Sequence, residues 1–520
     1  MEMKKQPDRA LTIQEFFYCL FFSLLFFAKG IGLYDGQSLF KVFLIAALAC
    51  FCMKMLMTDY TVKELVILLT LLAVVLLSYF RTKEKGILFT FAIAAGLKNV
   101  SVKRIFQTAL AVWCVSYIPT VLLTTLGWAD SPFRVHVRPF FGFAIRWGMG
   151  SAHPNVGHIA YLIFTVLAVY TLGSRISWKW ITGLFIGNLY VFFFTMSQTG
   201  LLMTSFYLAA SVYLMVRKNP SKAEYGLVKC VVPACVLASL ILPVALTGRA
   251  FDILNKMLNT RVMQAKRYLT EEKITLFGAR LGLNNAINTM DNSFVFAFMT
   301  YGAVTFVILM AAYILLVRKY VSEKRNRELA VIVTLLIAGL SEPFLFNTSF
   351  KNVSLLFMGE LLFGVSPAEG GIRGRNICFW KIGGREMKLP FGKIAGLGEL
   401  IRAYGRTYKA AALAGAVFAA AVWAGVYGIT AEVPEEIIVP RSLCDSVEQE
   451  SVYLGQGDVP ENSLVLGYVD EKTPMVIFRD GLPRLEYVRG IVCRCVYGAG
   501  LGFIVVLGGC YVIKYKDSRQ

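Results

Sequence analysis

Apolar runs of helix-spanning length recur along this chain, separated by short polar breaks. They fall near 14–29, 39–57, 64–80, 86–97, 105–127, 154–172, 179–195, 198–216, 227–246, 293–317, 329–346, 353–366, 410–429 and 488–512. A helix that crosses a bilayer needs roughly 20 predominantly apolar residues, and most of these runs meet that length. The pattern predicts an all-α polytopic membrane protein with fourteen spans, the fourth of them short. The first run, Phe16 to Ala28, follows Lys4, Lys5 and Arg9 as a signal peptide would. No small-x-small cleavage site follows it and further runs come at once, so it reads as a first membrane helix with a cytoplasmic N-terminus.

Composition agrees with the pattern. Of 520 residues, 57% are apolar and 17% are charged, whereas a soluble domain carries about 25% charged residues. The net charge of +20 needs a location. Threaded from a cytoplasmic start, the inner loops contain Lys98, Lys103 and Arg104; Arg175 and Lys179; Arg217, Lys218 and Lys222; and Arg318, Lys319, Lys324, Arg325 and Arg327. The tail, with Lys514, Lys516 and Arg519, also falls inside. That is the positive-inside distribution, with Arg81, Lys83 and Lys85 as a small exception. No soluble segment carries a basic stripe interleaved with aromatics, so a nucleic-acid partner is excluded. The eleven cysteines show no metal or redox spacing, and Cys444 stands alone in its segment.

Two long outer loops are basic. The first, about 128–153, carries Arg134, Arg138 and Arg146 against Asp130. The second, about 247–292, carries Arg249, Lys256, Arg261, Lys266, Arg267, Lys273 and Arg280 against four acids. Clustered outward arginines suit an anionic ligand such as a phosphate, with headgroup contact as the plainer alternative. Residues 367–409 form a basic cytoplasmic segment. Within it Ile394, Leu397, Leu400, Ile401 and Tyr404 share a helical face opposite Lys393, Arg402 and Arg406, which predicts an amphipathic helix at the lipid surface. Residues 410–520 then supply two spans around an outer segment, 430–487, whose alternation from Ser463 to Val469 and Pro474 to Phe478, with an Asp480-Gly481 turn, predicts a few strands.

Polar chemistry concentrates at the loop ends. All three histidines, His136, His153 and His158, lie within 23 positions. Pro154 suits the first turn of a helix, which puts His153 at that helix's positive end, where a neutral imidazole able to accept a proton is favoured. Asn155 and His158 follow it. As a metal set, three histidines without an acid partner are a weak signal. The turn Ser197-Gln198-Thr199-Gly200 offers hydrogen bonds to a sugar or headgroup, or is ordinary turn chemistry. Asp291 re-enters the membrane beside Asn292 as a candidate base or as a helix N-cap. Glu342, Asn347 and Asn352 decorate a further outer turn.

The order of His153-Pro154-Asn155, Ser197-Gln198-Thr199-Gly200, Leu246-Thr247-Gly248-Arg249, Leu276-Phe277-Gly278, Asp291-Asn292 and Ser341-Glu342-Pro343 resembles the bacterial O-antigen ligase/polymerase superfamily, especially Gram-positive capsule polymerases. The resemblance covers roughly residues 10–366. It implies a polymerase-like core of about twelve helices over 1–366; the last two spans, bracketing a small extracytoplasmic α/β or β segment, lie outside that core. It implies a multi-pass protein of the bacterial plasma membrane with both termini cytoplasmic. The activity it implies is a cofactor-free, metal-independent glycosyl transfer outside the membrane, with an undecaprenyl-pyrophosphate-linked oligosaccharide as donor and another lipid-linked repeat as acceptor. Membrane lipids, a flippase and a chain-length regulator are the partners expected with it. Arg249 matches the position of a pyrophosphate-holding arginine, with Arg261 beside it; Arg138, Arg146, Asn155, His158, Gln198 and Asn292 are further candidate contacts. His153 or Asp291 is the candidate base. One departure stands out: the ligase branch has a His-Asn pair where this chain has Asp291-Asn292, which favours polymerase over ligase-like transfer to another acceptor. A lipid-linked glycan flippase is the rival class, since transporters place ionisable residues within their spans. Here the proposed spans hold few, Glu360 being the clearest, while charged groups crowd the two outer loops. A sensor or scaffold has no signature to support it.

Overall fold

Several helices start where the sequence supplies a cap. Thr12 accepts from the Glu15 amide at the head of α1 (Ile13–Gly30), and the Thr61/Glu64 and Ser221/Glu224 capping boxes open α3 (Val62–Thr82) and α9 (Lys222–Val236). The computed structural model describes residues 11–138, 142–217, 220–258, 260–282, 290–364, 376–378, 380, 409–440, 465–470, 473–479 and 481–517. Between the capped helices lie α2 (Ser38–Leu56), β1 (Tyr60–Thr61), α4 (Gly86–Ala95), α5 (Val102–Thr125), β2 (Phe133–Arg138), β3 (Gly142–Trp147), α6 (Pro154–Leu172), α7 (Trp178–Thr195) and α8 (Gln198–Val216). A π-helical turn, Leu237–Ile241, continues α9 into α10 (Leu242–Ala245). There follow α11 (Gly248–Met257), α12 (Arg261–Glu271), α13 (Ser293–Tyr301), α14 (Ala303–Ser322), α15 (Asn326–Ala338), a 3-10 turn (Val353–Phe357), α16 (Gly359–Leu362) and β4 (Asn376–Ile377). The last elements are α17 (Lys409–Thr430), β5 (Glu436–Pro440), β6 (Val465–Asp470), β7 (Thr473–Arg479) and α18 (Gly481–Asp517).

The chain is a multi-span helical membrane protein. Among the described residues, ten helices are long and apolar enough to cross a bilayer. That corrects the expected fourteen, and the difference lies in four runs. Gly86–Ala95 is only 10 residues long. Trp178–Thr195 has the length but is not among the ten, and it carries Lys179 and Asn188. The run at 329–346 leaves its helix at Ala338, and that at 353–366 is a 3-10 turn followed by four helical residues. A fifth run, 293–317, is broken at Gly302, whose φ of 86° ends α13. The first amides of α14 are then satisfied from outside: Ala303 and Val304 donate to the carbonyls of Thr275 and Leu276 at 3.0 and 3.1 Å. A Cβ on Gly278 would lie 1.9 Å from the Thr300 carbonyl oxygen, so glycine is what lets this strand of the loop close onto the break. The amphipathic run 394–404, Cys444 and Asp480 lie outside the described residues.

Contacts divide the chain into two units. The first comprises Met1–Pro119, His158–Phe192 and Ser197–Met387. Its interior is aromatic and aliphatic, with Tyr18, Phe26, Trp113, Phe294, Tyr313 and Phe357 buried. Polar side chains inside it are spent on helix carbonyls; the Trp113 indole donates to Ala160 O at 3.1 Å and Ser78 Oγ to Tyr301 O at 2.9 Å. Its exposed helix faces carry Val42, Ile45, Val66 and Leu69, as a surface solvated by lipid should.

The second unit comprises Thr120–Gly157, Phe193–Met196 and Lys388–Gln520. β2 and β3 pair as an antiparallel hairpin, and β5, β7 and β6 form a three-stranded antiparallel sheet in that order. The strands β6 and β7 stand where sequence alternation predicts them. Val135 and Ile145 of the hairpin pack with Val439, Phe478 and Leu482. α17 and α18 run antiparallel in close contact: a Cβ on Gly502 would lie 2.2 Å from Gly415 O, and one on Gly498 2.7 Å from Ala419 O. The Gly498/Gly502 spacing is thus a packing seam.

Candidate functional site

Within the first unit, two loops and two helix starts meet at Arg261. Asn292 begins the assembly. Its Oδ1 accepts the amides of Phe294 and Val295 at 2.9 and 3.0 Å, and its Nδ2 donates to Ser239 Oγ and Leu340 O, both at 3.0 Å. The cap of α13 is therefore Asn292 and not Asp291, and its amide is fully engaged by the protein rather than open to a ligand. Ser293 extends the tie: its Oγ donates to Glu342 O at 2.6 Å. The π-helical turn in α9 carries Ser239 into this contact, a use of such turns that is common at functional sites.

This frame holds Asp291 and Glu342 on either side of Arg261, the first residue of α12. Arg261 Nη2 donates to Glu342 Oε1 at 3.1 Å and Nη1 to Thr199 Oγ1 at 3.3 Å. Nε lies 3.4 Å from Asp291 Oδ2, close enough for an ion pair, but its N–H is aimed at no acceptor among the described residues. One guanidinium thus serves two carboxylates. Glu342 is closed off at 6% side-chain exposure, whereas Asp291 keeps 30%. α12 is seated by Ala265 and Tyr268, which pack with Met290, Val295 and Met299. Arg249, on the first turn of α11, is exposed and makes no ion pair among the described residues. Gln198, the first residue of α8, is exposed one position before Thr199.

Lys351, in the same loop as Glu342, is 3% exposed. Burial, followed by repulsion from Lys29, pushes its pKa down to about 7, against the opposing pull of Glu342. Because its folded value lies below the unfolded one, the native state releases this proton first as pH rises. Stability should then rise between pH ~7 and ~10, by up to about 1.4 kcal/mol per pH unit from this group. Thermal melts across that range should show the rise in the parent protein and a flatter slope in Lys351→Met; equal slopes would refute the assignment.

The histidine segment is built differently. His153 Nδ1 accepts the Asn155 amide at 3.2 Å, so the imidazole caps α6. That lone pair is the one a neutral imidazole with its proton on Nε2 would offer a substrate, and it is already used. Asn155 Oδ1 accepts from Arg146 Nη2 at 2.5 Å, and Arg146 Nε donates to Thr195 O at 3.1 Å. At 5% exposure, Arg146 braces the protein and is not presented to a ligand. Arg138 lies at the end of β2, and its side chain is outside the described residues. His158, expected as a substrate contact, is fully buried in the first unit and bonded at 2.8 Å to Asn188, which also donates to Ser205 and Leu201 O. A Cβ on Gly200 would lie 2.3 Å from its ring, so this part of the Ser197–Gly200 motif serves packing.

The sequence reading placed Glu342 on an outer turn without a role, and it passed over Lys351 and Arg489 altogether. Glu342 and Lys351 are charged positions beside long apolar stretches, which is the signal that marks them. Arg489, within α18, is 1% exposed and donates to Phe193 O at 2.7 and 3.0 Å and to Ile145 O at 2.7 Å. Its partner Glu486 accepts from the Trp147 indole at 2.9 Å. Compared with known proteins, the chain matches no family model, no curated protein and no solved structure.

Proposed function

We propose that this protein polymerises undecaprenyl-pyrophosphate-linked oligosaccharide repeats into a surface polysaccharide, by glycosyl transfer on the outer face of a bacterial plasma membrane. The observation that carries the reading is the Asp291–Arg261–Glu342 group, a part-exposed carboxylate held against a guanidinium at the ends of membrane helices. In this reading Asp291 takes the proton from the acceptor hydroxyl as its oxygen attacks the anomeric carbon of the donor. The bond from that carbon to the diphosphate oxygen breaks, and undecaprenyl pyrophosphate leaves with the charge. Arg249 meets that charge, because it is exposed and no carboxylate among the described residues already matches it, and bidentate guanidinium contacts suit a diphosphate. Arg261 then orients Asp291, and Thr199 and Gln198 line the approach. Asp291 is preferred to His153 as base, since the imidazole is engaged as a helix cap. General-base help of this kind contributes about 10²–10⁴-fold.

A flippase is the second reading. Arg249→Ala separates the two. On the polymerase reading it loses polymer and leaves single lipid-linked repeats on the outer leaflet; repeats stranded on the inner leaflet would favour transport, and normal chain lengths would count against both roles for Arg249.

A further inference from the structure

The loop between the α9–α10 span and α14 is fixed to membrane-helix ends at both sides. The candidate span Lys222–Ala245 ends two residues before α11 begins, and Leu246 and Thr247 can carry the chain no further than about 11 Å. At the other end, Thr275 and Leu276 are bonded to the first amides of the span Ala303–Ser322. The headgroup layer on each side of a bilayer is about 5–8 Å deep, so neither end of this loop can leave it by much.

What the loop shows at those places is apolar. α11 sorts its residues: Ala250, Ile253 and Leu254 fall on one face and Arg249, Asp252 and Lys256 on the other. Ile253 is 53% exposed beside Arg249 and Lys256, and Leu258 and Met263 are exposed at the turn into α12. Ile274 and Leu276, at the end tied to α14, are 55% and 63% exposed. Bulky apolar side chains exposed at both anchored ends, with cations alongside one of them, fit a surface that is half hydrocarbon and half phosphate.

The geometry points to residues 248–258 and 260–276 as an interfacial element, with Ile253 and Leu276 set into the acyl boundary and Arg249 and Lys256 at lipid phosphates. This stands apart from the reaction proposed above, because it needs no sugar substrate. It has a consequence for that reaction if both hold: a lipid-borne diphosphate is delivered at the depth where Arg249 sits.

Site-specific photocrosslinking tests it. A benzophenone amino acid is placed at 253, 276 or, as the polar-face control, 252 of the full-length protein in vesicles of phosphatidylethanolamine with phosphatidylglycerol. Positions 253 and 276 should give several-fold more phospholipid adduct by mass spectrometry than 252. Equal yields at 252 and 253, or protein-only adducts at 253 and 276, would overturn the assignment. Since no turnover is read, loss of polymerase activity cannot be mistaken for either outcome.

Discussion

Arg261→Ala should abolish polymer formation and also lower the thermal midpoint of the purified protein by many degrees. The two losses have different causes, and a second substitution separates them. Glu342 has 6% side-chain exposure, and removing Arg261 leaves a buried carboxylate without the guanidinium that bonds it. Breaking a buried ion pair from one side costs about 3–5 kcal/mol. Adding Glu342→Gln removes that charge while keeping the shape, so the double variant should recover most of the melting temperature. Polymer should stay absent, because Asp291 still lacks the cation that orients it. If the double variant polymerises normally, Arg261 acts only as a structural cation and the site is misassigned.

Arg489→Ala should be the most damaging change in the second unit. Three of its bonds go to the carbonyls of Phe193 and Ile145, and its Glu486 partner holds Trp147. Truncation leaves the Phe193 and Ile145 carbonyls without these donors and Glu486 with the Trp147 indole but no guanidinium, at a cost of about 1–3 kcal/mol for each acceptor left unsatisfied. The β2–β3 hairpin should become protease-sensitive, and the thermal midpoint should fall. Lysine should rescue poorly, since a single ammonium cannot reproduce the planar fork that meets both carbonyls. Unchanged proteolysis in the alanine variant would show that α18 does not hold the hairpin.

How far the sequence carried depended on what kind of interaction was in question. Runs such as 39–57 and 105–127 became helices close to the expected bounds, because hydropathy over a spanning length responds to the solvent around a helix. The break at Gly302 was invisible to it: apolar residues flank that glycine on both sides, and the carbonyls of Thr275 and Leu276 that accept the first amides of α14 come from a different part of the chain. The site shows the same division. Asp291 beside a basic loop was legible as a carboxylate near arginine, but its partner Arg261 sits thirty positions earlier, and Glu342 comes from a different loop. His158 misled for a related reason. A histidine at a helix mouth looks available, yet Gly200 lets another helix close over it and Asn188 satisfies its ring. His153 was correctly placed at a helix start, and the cap it forms there weakens the case for it as the base.

Reconstitution tests the central claim most directly. Purified protein in vesicles, supplied with undecaprenyl-pyrophosphate-linked repeats alone, should convert them into a ladder of longer glycans and release undecaprenyl pyrophosphate, and Asp291→Asn should stop both. Repeats that change leaflet without lengthening, or a ladder that persists in Asp291→Asn, would contradict the account.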